Sequence, residues 1–173
     1  MNKIMIVDEF LDYDELKIMK KIILDKKWNY NHTSGTNELI TNKFFANYEL
    51  NSFFSMHILE KINNYFNKKY KLNRNYMHIQ NFAVDGSYHI DDEGHDKFTF
   101  CLYLTNIKDK NFENIGGDLF IKIPDNKHII SIEPINNRGI LFQSEYLHKG
   151  MAYNRNSTEN KRLCITWKLE EIK

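Results

Sequence analysis

Apolar positions in the first half of the chain recur at helical intervals. Between about Asp14 and Trp28 the residues Leu16, Ile18, Met19, Ile22, Ile23 and Trp28 fall three or four apart, with lysines filling the gaps. That spacing predicts an amphipathic helix with one buried stripe, and Asp12 or Asp14 offers a side-chain oxygen to cap its start. A second helix is expected over about Ser52–Tyr70, where Phe53, Phe54, Met56, Ile58, Leu59, Ile62 and Phe66 form the apolar side. The stretch Asn29–Asn42 is polar and contains Asn, Thr and Gly, which predicts a loop with one edge strand.

From about Asn75 the pattern changes to short apolar runs separated by turn residues. Strands are expected at Met77–Val84, Phe98–Thr105, Asp118–Ile123, Ile129–Glu133, Gly139–Gln143 and Arg162–Leu169. Between them lie Asp85-Gly86, the acidic stretch Asp91–Asp96, Gly116-Gly117, Pro124-Asp125, Asn136-Asn137 and Asn154–Asn160, all suited to turns or loops. Two of these strands are informative face by face, because strand side chains alternate. Phe98, Phe100, Leu102 and Leu104 share one face, with Thr99, Cys101 and Tyr103 opposite; Leu163, Ile165 and Trp167 share another, with Arg162, Cys164 and Thr166 opposite. The apolar faces suit packing under the helices. The semi-polar faces would line a pocket.

Composition narrows the class. With 173 residues, 42% hydrophobic and 27% charged, the chain is expected to form one soluble domain spanning 1–173, helical to about 74 and β-rich over about 75–170. A formal net charge of +1 gives no support for a nucleic-acid or membrane partner. Ile4–Val7 is too short for a secretory signal, and no run approaches the ~20 apolar residues of a membrane span. A cytoplasmic location follows, in which Cys101 and Cys164 are reduced core thiols.

The chemistry concentrates at Tyr88-His89-Ile90-Asp91-Asp92. On an extended chain His89 and Asp91 project to the same side and reach one metal. A third ligand must come from elsewhere, and His148 closely follows an expected strand. Two imidazoles and a carboxylate on one octahedral face, with the other positions open, suit non-haem iron(II). His32, His57, His78, His95 and His128 lack a partner pattern and are expected to be surface or structural, although His95 could sit on a lid formed by the acidic loop. Asp91-Asp92-Glu93 lacks calcium-loop spacing, and Gly116-Gly117 reads as a turn.

The order of features resembles the 2-oxoglutarate/iron(II) oxygenase superfamily, especially its prolyl-4-hydroxylase-like branch and small bacteriophage members. The matching stretches are DGSYHIDD (85–92), FTFCLYLTN (98–106), GGDLFIKI (116–123), IEPINNRGILFQSEYLHKGMAY (132–153) and RLCITWKL (162–169). The resemblance implies a mainly β fold, a double-stranded β-helix (jelly roll) with N-terminal α-helices. It makes His89, Asp91 and His148 the iron(II) ligands and Arg162 the partner of the distal carboxylate of 2-oxoglutarate. Tyr103 would hydrogen-bond the same carboxylate, and Thr166 would belong to the same shell. Arg155, in the inserted stretch Asn154–Asn160, competes with Arg162 for that role. The implied reaction consumes dioxygen and 2-oxoglutarate, releases succinate and CO2 and hydroxylates a C–H bond, with ascorbate as a candidate reductant. A prolyl or other residue of a peptide or protein is the leading substrate. A small molecule or nucleobase is the rival within the class, and a non-catalytic or isomerase jelly roll holding zinc or manganese is the rival outside it. The host cytoplasm is the expected location for a phage-encoded member.

Overall fold

The computed structural model describes residues 4–34, 42–105, 115–124, 128–154 and 161–172. Its strands, in chain order, are β1 (Ile4–Val7), β2 (Asn29–Thr33), β3 (Lys43–Asn47), β4 (Tyr70–Gln80), β5 (Lys97–Tyr103), β6 (Leu119–Lys122), β7 (Ile129–Ile132), β8 (Arg138–Gln143), β9 (Leu147–Gly150) and β10 (Arg162–Glu171). They form two antiparallel sheets: a seven-stranded one ordered β1-β8-β5-β10-β4-β3-β2 and a three-stranded one ordered β7-β6-β9. This is the jelly-roll arrangement expected from the sequence. Among the described residues no helix is long and apolar enough to cross a membrane.

The two faces of the large sheet have separate jobs. Phe98, Phe100, Leu102, Leu104, Leu163, Ile165, Trp167 and Leu169 join Met19 of α1 (Tyr13–Leu24) and Ile58 and Ile62 of α2 (Ile58–Phe66) in one core. The Trp167 indole N–H donates to the Phe54 carbonyl at 2.8 Å, within the π-helical turn Phe53–His57 that leads into α2. On the opposite face Cys101, Tyr103 and Cys164 meet Leu119, Ile121 and Ile132 of the small sheet. Both cysteines are free and buried. Alternation along β5 and β10 therefore assigns one side to the helices and the other to the space between the sheets.

Helix α1 starts at a capping box. Asp12 accepts from the Glu15 amide and Glu15 accepts from the Asp12 amide, each at 2.9 Å, so Asp12 is the cap and Asp14 belongs to the first turn. Glu15 also pairs with His57 at 2.8 Å and with Lys61. Burial would raise its pKa, but these partners hold it below the ordinary value. Asp12→Ala should cost about 1 kcal/mol and lower the thermal midpoint by about 2–4 °C in calorimetry.

Several boundaries differ from the sequence expectation. Helix α1 ends at Leu24 rather than Trp28, because Asp25-Lys26-Lys27 supplies no apolar position. Helix α2 stops at Phe66, where Asn67 turns left-handed (φ 48°), a conformation asparagine tolerates. Asn29–Asn42 contributes the one edge strand expected of it, β2, and β3, which was not expected, follows that stretch and completes a hairpin. β4 runs Tyr70–Gln80 instead of Met77–Val84. Its polar start is held by pairing along β10, and the chain turns away beyond Gln80, with Ala83 at φ 59°. β1 and the four-residue β9 were not expected as strands.

Candidate active site

The expected metal ligands come together. One nitrogen or oxygen from each of His89, Asp91 and His148 lies within 4.8 Å of the others. The backbone produces this meeting: His89 and His148 exchange both amide–carbonyl hydrogen bonds, at 3.0 and 2.9 Å, forming one antiparallel bridge. His148 is thus inside β9 rather than in a loop, and β9 follows β8 after the turn Ser144–Tyr146. The Asp91 amide donates to the Ser144 carbonyl at 2.9 Å, which fixes the third side chain against the same turn.

Ring orientation follows from the backbone as well. Nδ1 of His89 lies 2.9 Å from the Ser87 carbonyl, and Nδ1 of His148 lies 2.7 Å from the Tyr146 carbonyl. A carbonyl only accepts, so each Nδ1 carries a proton, which leaves Nε2 as the nitrogen that a metal would take. Both Nε2 atoms are 3.3 Å from the Asp91 carboxylate. Two imidazole nitrogens and an anionic oxygen converge on one point, and orientation of ligand imidazoles by carbonyls is the usual support of a metal centre. The donor set therefore fits a metal.

Asp91 Oδ2 is held from outside. Thr99 donates to it at 2.7 Å and the Lys168 ammonium contacts it. Oδ1 faces the His89 ring, and Oδ2 also faces that of His148. Burial would raise the Asp91 pKa, but Lys168 and His148 bring it well below the carboxylate range. Lys168 is itself buried; burial pulls its pKa down, and Asp91 more than restores it.

The other end of the cleft is built around Arg162, 2% exposed. Its Nε donates to the Gly117 carbonyl at 2.6 Å, one terminal nitrogen donates to Gln80 Oε1, and the other donates to the Tyr103 hydroxyl at 3.2 Å. A guanidinium has five N–H groups, so each terminal nitrogen keeps one for a ligand. Burial drives the Tyr103 phenol well above its ordinary pKa, with Arg162 opposing; it stays protonated. Gly150 allows this packing, since a Cβ there would stand 2.9 Å from the guanidinium. Gly117 turns with φ +86° to aim its carbonyl at Nε. Thr166 lines the cleft between the two ends, its hydroxyl 3.7 Å from Cys164 Sγ and 4.0 Å from Cys101 Sγ. Arg155 lies outside the described residues.

The family model described as the 2OG-Fe(II) oxygenase superfamily matches residues 44–168. The chain belongs to that superfamily. No curated protein sequence matches it significantly. A prolyl-4-hydroxylase from Pseudomonas putida superposes with TM-score 0.70 at 14% identity, covering 100% of this chain and 95% of that one. The viral collagen prolyl hydroxylase of Paramecium Bursaria Chlorella virus-1, solved as a 2-oxoglutarate complex, gives TM-score 0.60 at 16% identity over 98% and 96%. A Trichoplax adhaerens prolyl hydroxylase, bound to a hypoxia inducible factor peptide fragment, gives 0.67 at 15% over 99% and 84%. The oxygenase thus shares the fold of these prolyl hydroxylases and, by its superfamily, is a 2-oxoglutarate-dependent dioxygenase using iron(II).

Three of the oxygenase's cleft residues were not singled out in the sequence: Lys168, which holds Asp91, Gln80, which holds Arg162, and Gly150, which makes room for it. Thr99, expected on the semi-polar face, is the second hold on Asp91. Lys168 was detectable in principle, because it continues the Arg162–Cys164–Thr166 alternation by one step. His32 and His78 were expected to be surface or structural, yet both line the cleft with Phe44 and Tyr76, ring-stacked at 5.5 Å. Burial lowers the pKa of His32 to about 4 and that of His78 well below its ordinary value, so both rings are neutral. His95 is exposed, 3.1 Å from Glu145, and does not line the cleft.

Proposed function

We propose that the oxygenase hydroxylates a C–H bond of a prolyl or other residue within a peptide or protein, converting 2-oxoglutarate to succinate and CO2. The observation that carries the metal assignment is the convergence of both Nε2 atoms on the Asp91 carboxylate, with each Nδ1 tied to a backbone carbonyl. In this reading His89, Asp91 and His148 hold iron(II). Bound iron supplies dioxygen activation coupled to decarboxylation of the keto acid.

The protein's own groups hold, orient and shield. Thr99 and Lys168 keep the Asp91 carboxylate turned toward the two imidazoles. Arg162 offers its two remaining N–H groups to the distal carboxylate, a two-pronged match that fixes the acid's direction. Gln80 and Gly117 keep the guanidinium plane in place. Tyr103 accepts from Arg162, so its own O–H is free to donate to the same carboxylate. Cys101, Cys164, Thr166 and Leu119 wall the space between the anchors and keep water from the bound acid. The peptide assignment is supported by the prolyl hydroxylases that share the fold, one of them solved with a peptide.

Anaerobic addition of iron(II) and 2-oxoglutarate should give the weak visible charge-transfer band of a chelated ferrous keto acid. Its absence from folded, iron-loaded protein would overturn the reading. The peptide assignment is checked separately, by an oxygen-dependent gain of one oxygen atom on a prolyl peptide in mass spectrometry.

A further inference from the structure

Lys168 upsets an otherwise balanced set of charges. Iron(II) and doubly charged 2-oxoglutarate cancel, and Asp91 cancels Arg162. With His32 and His78 neutral, no further acid lines the described cleft, and the buried ammonium of Lys168 is left over. Its contact with Asp91 does not remove the imbalance, because the metal draws on the same carboxylate. A buried cation that shares its one anionic partner with a metal is short of countercharge, and that is costly.

A second cation stands beside it. Arg74 of β4 is the register partner of Lys168 on β10. The two charged groups approach one ring, the Arg74 guanidinium at 5.9 Å and the Lys168 ammonium at 5.8 Å from the Tyr76 centroid. Tyr76 lines the cleft. Among the described residues no ion pair includes Arg74, and the residue is exposed. One buried cation and one exposed cation thus flank a phenol at the metal end of the cleft, away from the Arg162 anchor. That arrangement matches a carboxylate entering from solvent.

We propose that Lys168 and Arg74 form a subsite for a carboxylate of the substrate, so that the residue hydroxylated lies next to an acidic group. The inference deepens the oxygenase reading above and rests on it. The acid is either a side chain neighbouring the target residue or the end of a peptide chain. Lys168 supplies the desolvated charge that selects for an anion, and Arg74 draws the anion in from the surface.

The test uses whole enzyme carrying iron(II) and 2-oxoglutarate under anaerobic conditions, once the visible band is present. It is titrated with acetate, a carboxylate alone, and with acetamide, following the band position and the heat of binding. Acetate should saturate and acetamide should not. Lys168→Gln should weaken acetate about tenfold, the loss of one charge-assisted hydrogen bond. Arg74→Glu, at an exposed position compatible with folding, should weaken it by about the same factor, and Lys168→Arg should retain binding.

Two peptides distinguish the sources of the acid. Tighter binding than acetate by an acetylated, amidated prolyl-aspartyl dipeptide assigns a side chain; by acetyl-glycyl-proline with a free C-terminus, a chain end. A band-positive enzyme with no saturable acetate response overturns the proposal and leaves the oxygenase reading intact. So does equal binding of acetate and acetamide, acetate binding unchanged in Lys168→Gln and Arg74→Glu, or a prolyl-asparaginyl amide that binds as tightly as its aspartyl counterpart. Absence of the band removes the oxygenase reading, and the subsite with it.

Discussion

His148→Ala should lose the iron(II)·2-oxoglutarate band altogether and weaken iron(II) binding by more than about a hundredfold. Changing only an outer partner of a metal ligand already costs roughly 10–100-fold, and His148 is placed as a ligand itself. Its ring is 5% exposed as a residue and packs edge-on against Phe142 at 4.8 Å, so truncation also leaves a gap in the core between the sheets. The two effects are separable. A packing loss lowers the thermal midpoint of the metal-free protein, whereas loss of a ligand shrinks the further rise that iron(II) produces. A variant that keeps the wild-type band would remove His148 from the metal site.

Arg162→Ala should act at the other end of the cleft. Truncating one partner of a buried, charge-assisted pair costs about 2–5 kcal/mol, or roughly thirtyfold to several-thousandfold in 2-oxoglutarate affinity. Iron(II) affinity should change far less, since no atom of Arg162 contacts His89, Asp91 or His148 in its hydrogen bonds. The variant also strands the Gly117 carbonyl, Gln80 and Tyr103, so some loss of stability is expected. Calorimetry with 2-oxoglutarate, on protein first saturated with metal, isolates the binding effect. If Arg155→Ala weakens 2-oxoglutarate more than Arg162→Ala does, the anchor is the other arginine.

The legible parts of this protein are those where the signal is local. Alternation along Phe98–Leu104 and Arg162–Trp167 is a property of single strands, and it correctly separated the helix-packed face from the cleft face. His89 and Asp91 share a side for the same reason. What escaped notice depends on neighbours that only folding supplies. Gln80 looks like any polar strand end until β4 pairs with β10 and sets it opposite Arg162. Lys168 sits in a sequence where a lysine ordinarily marks a solvated position, and only the Asp91 carboxylate reverses that expectation. His32 and His78 come from β2 and β4, separated by β3, so no spacing in the chain announces their stacking. β4 itself was placed too late, because Lys71, Asn73 and Arg74 are polar and its regularity is imposed by its partner strand.

The single backbone bridge between His89 and His148 has a mechanical consequence. Both imidazoles ride on the small-sheet side, while Asp91 is tied by Thr99 and Lys168 to β5 and β10 of the large sheet. A metal bound by all three would therefore act as a latch across the mouth of the sandwich, so that its release and the parting of the two sheets at that end become one event.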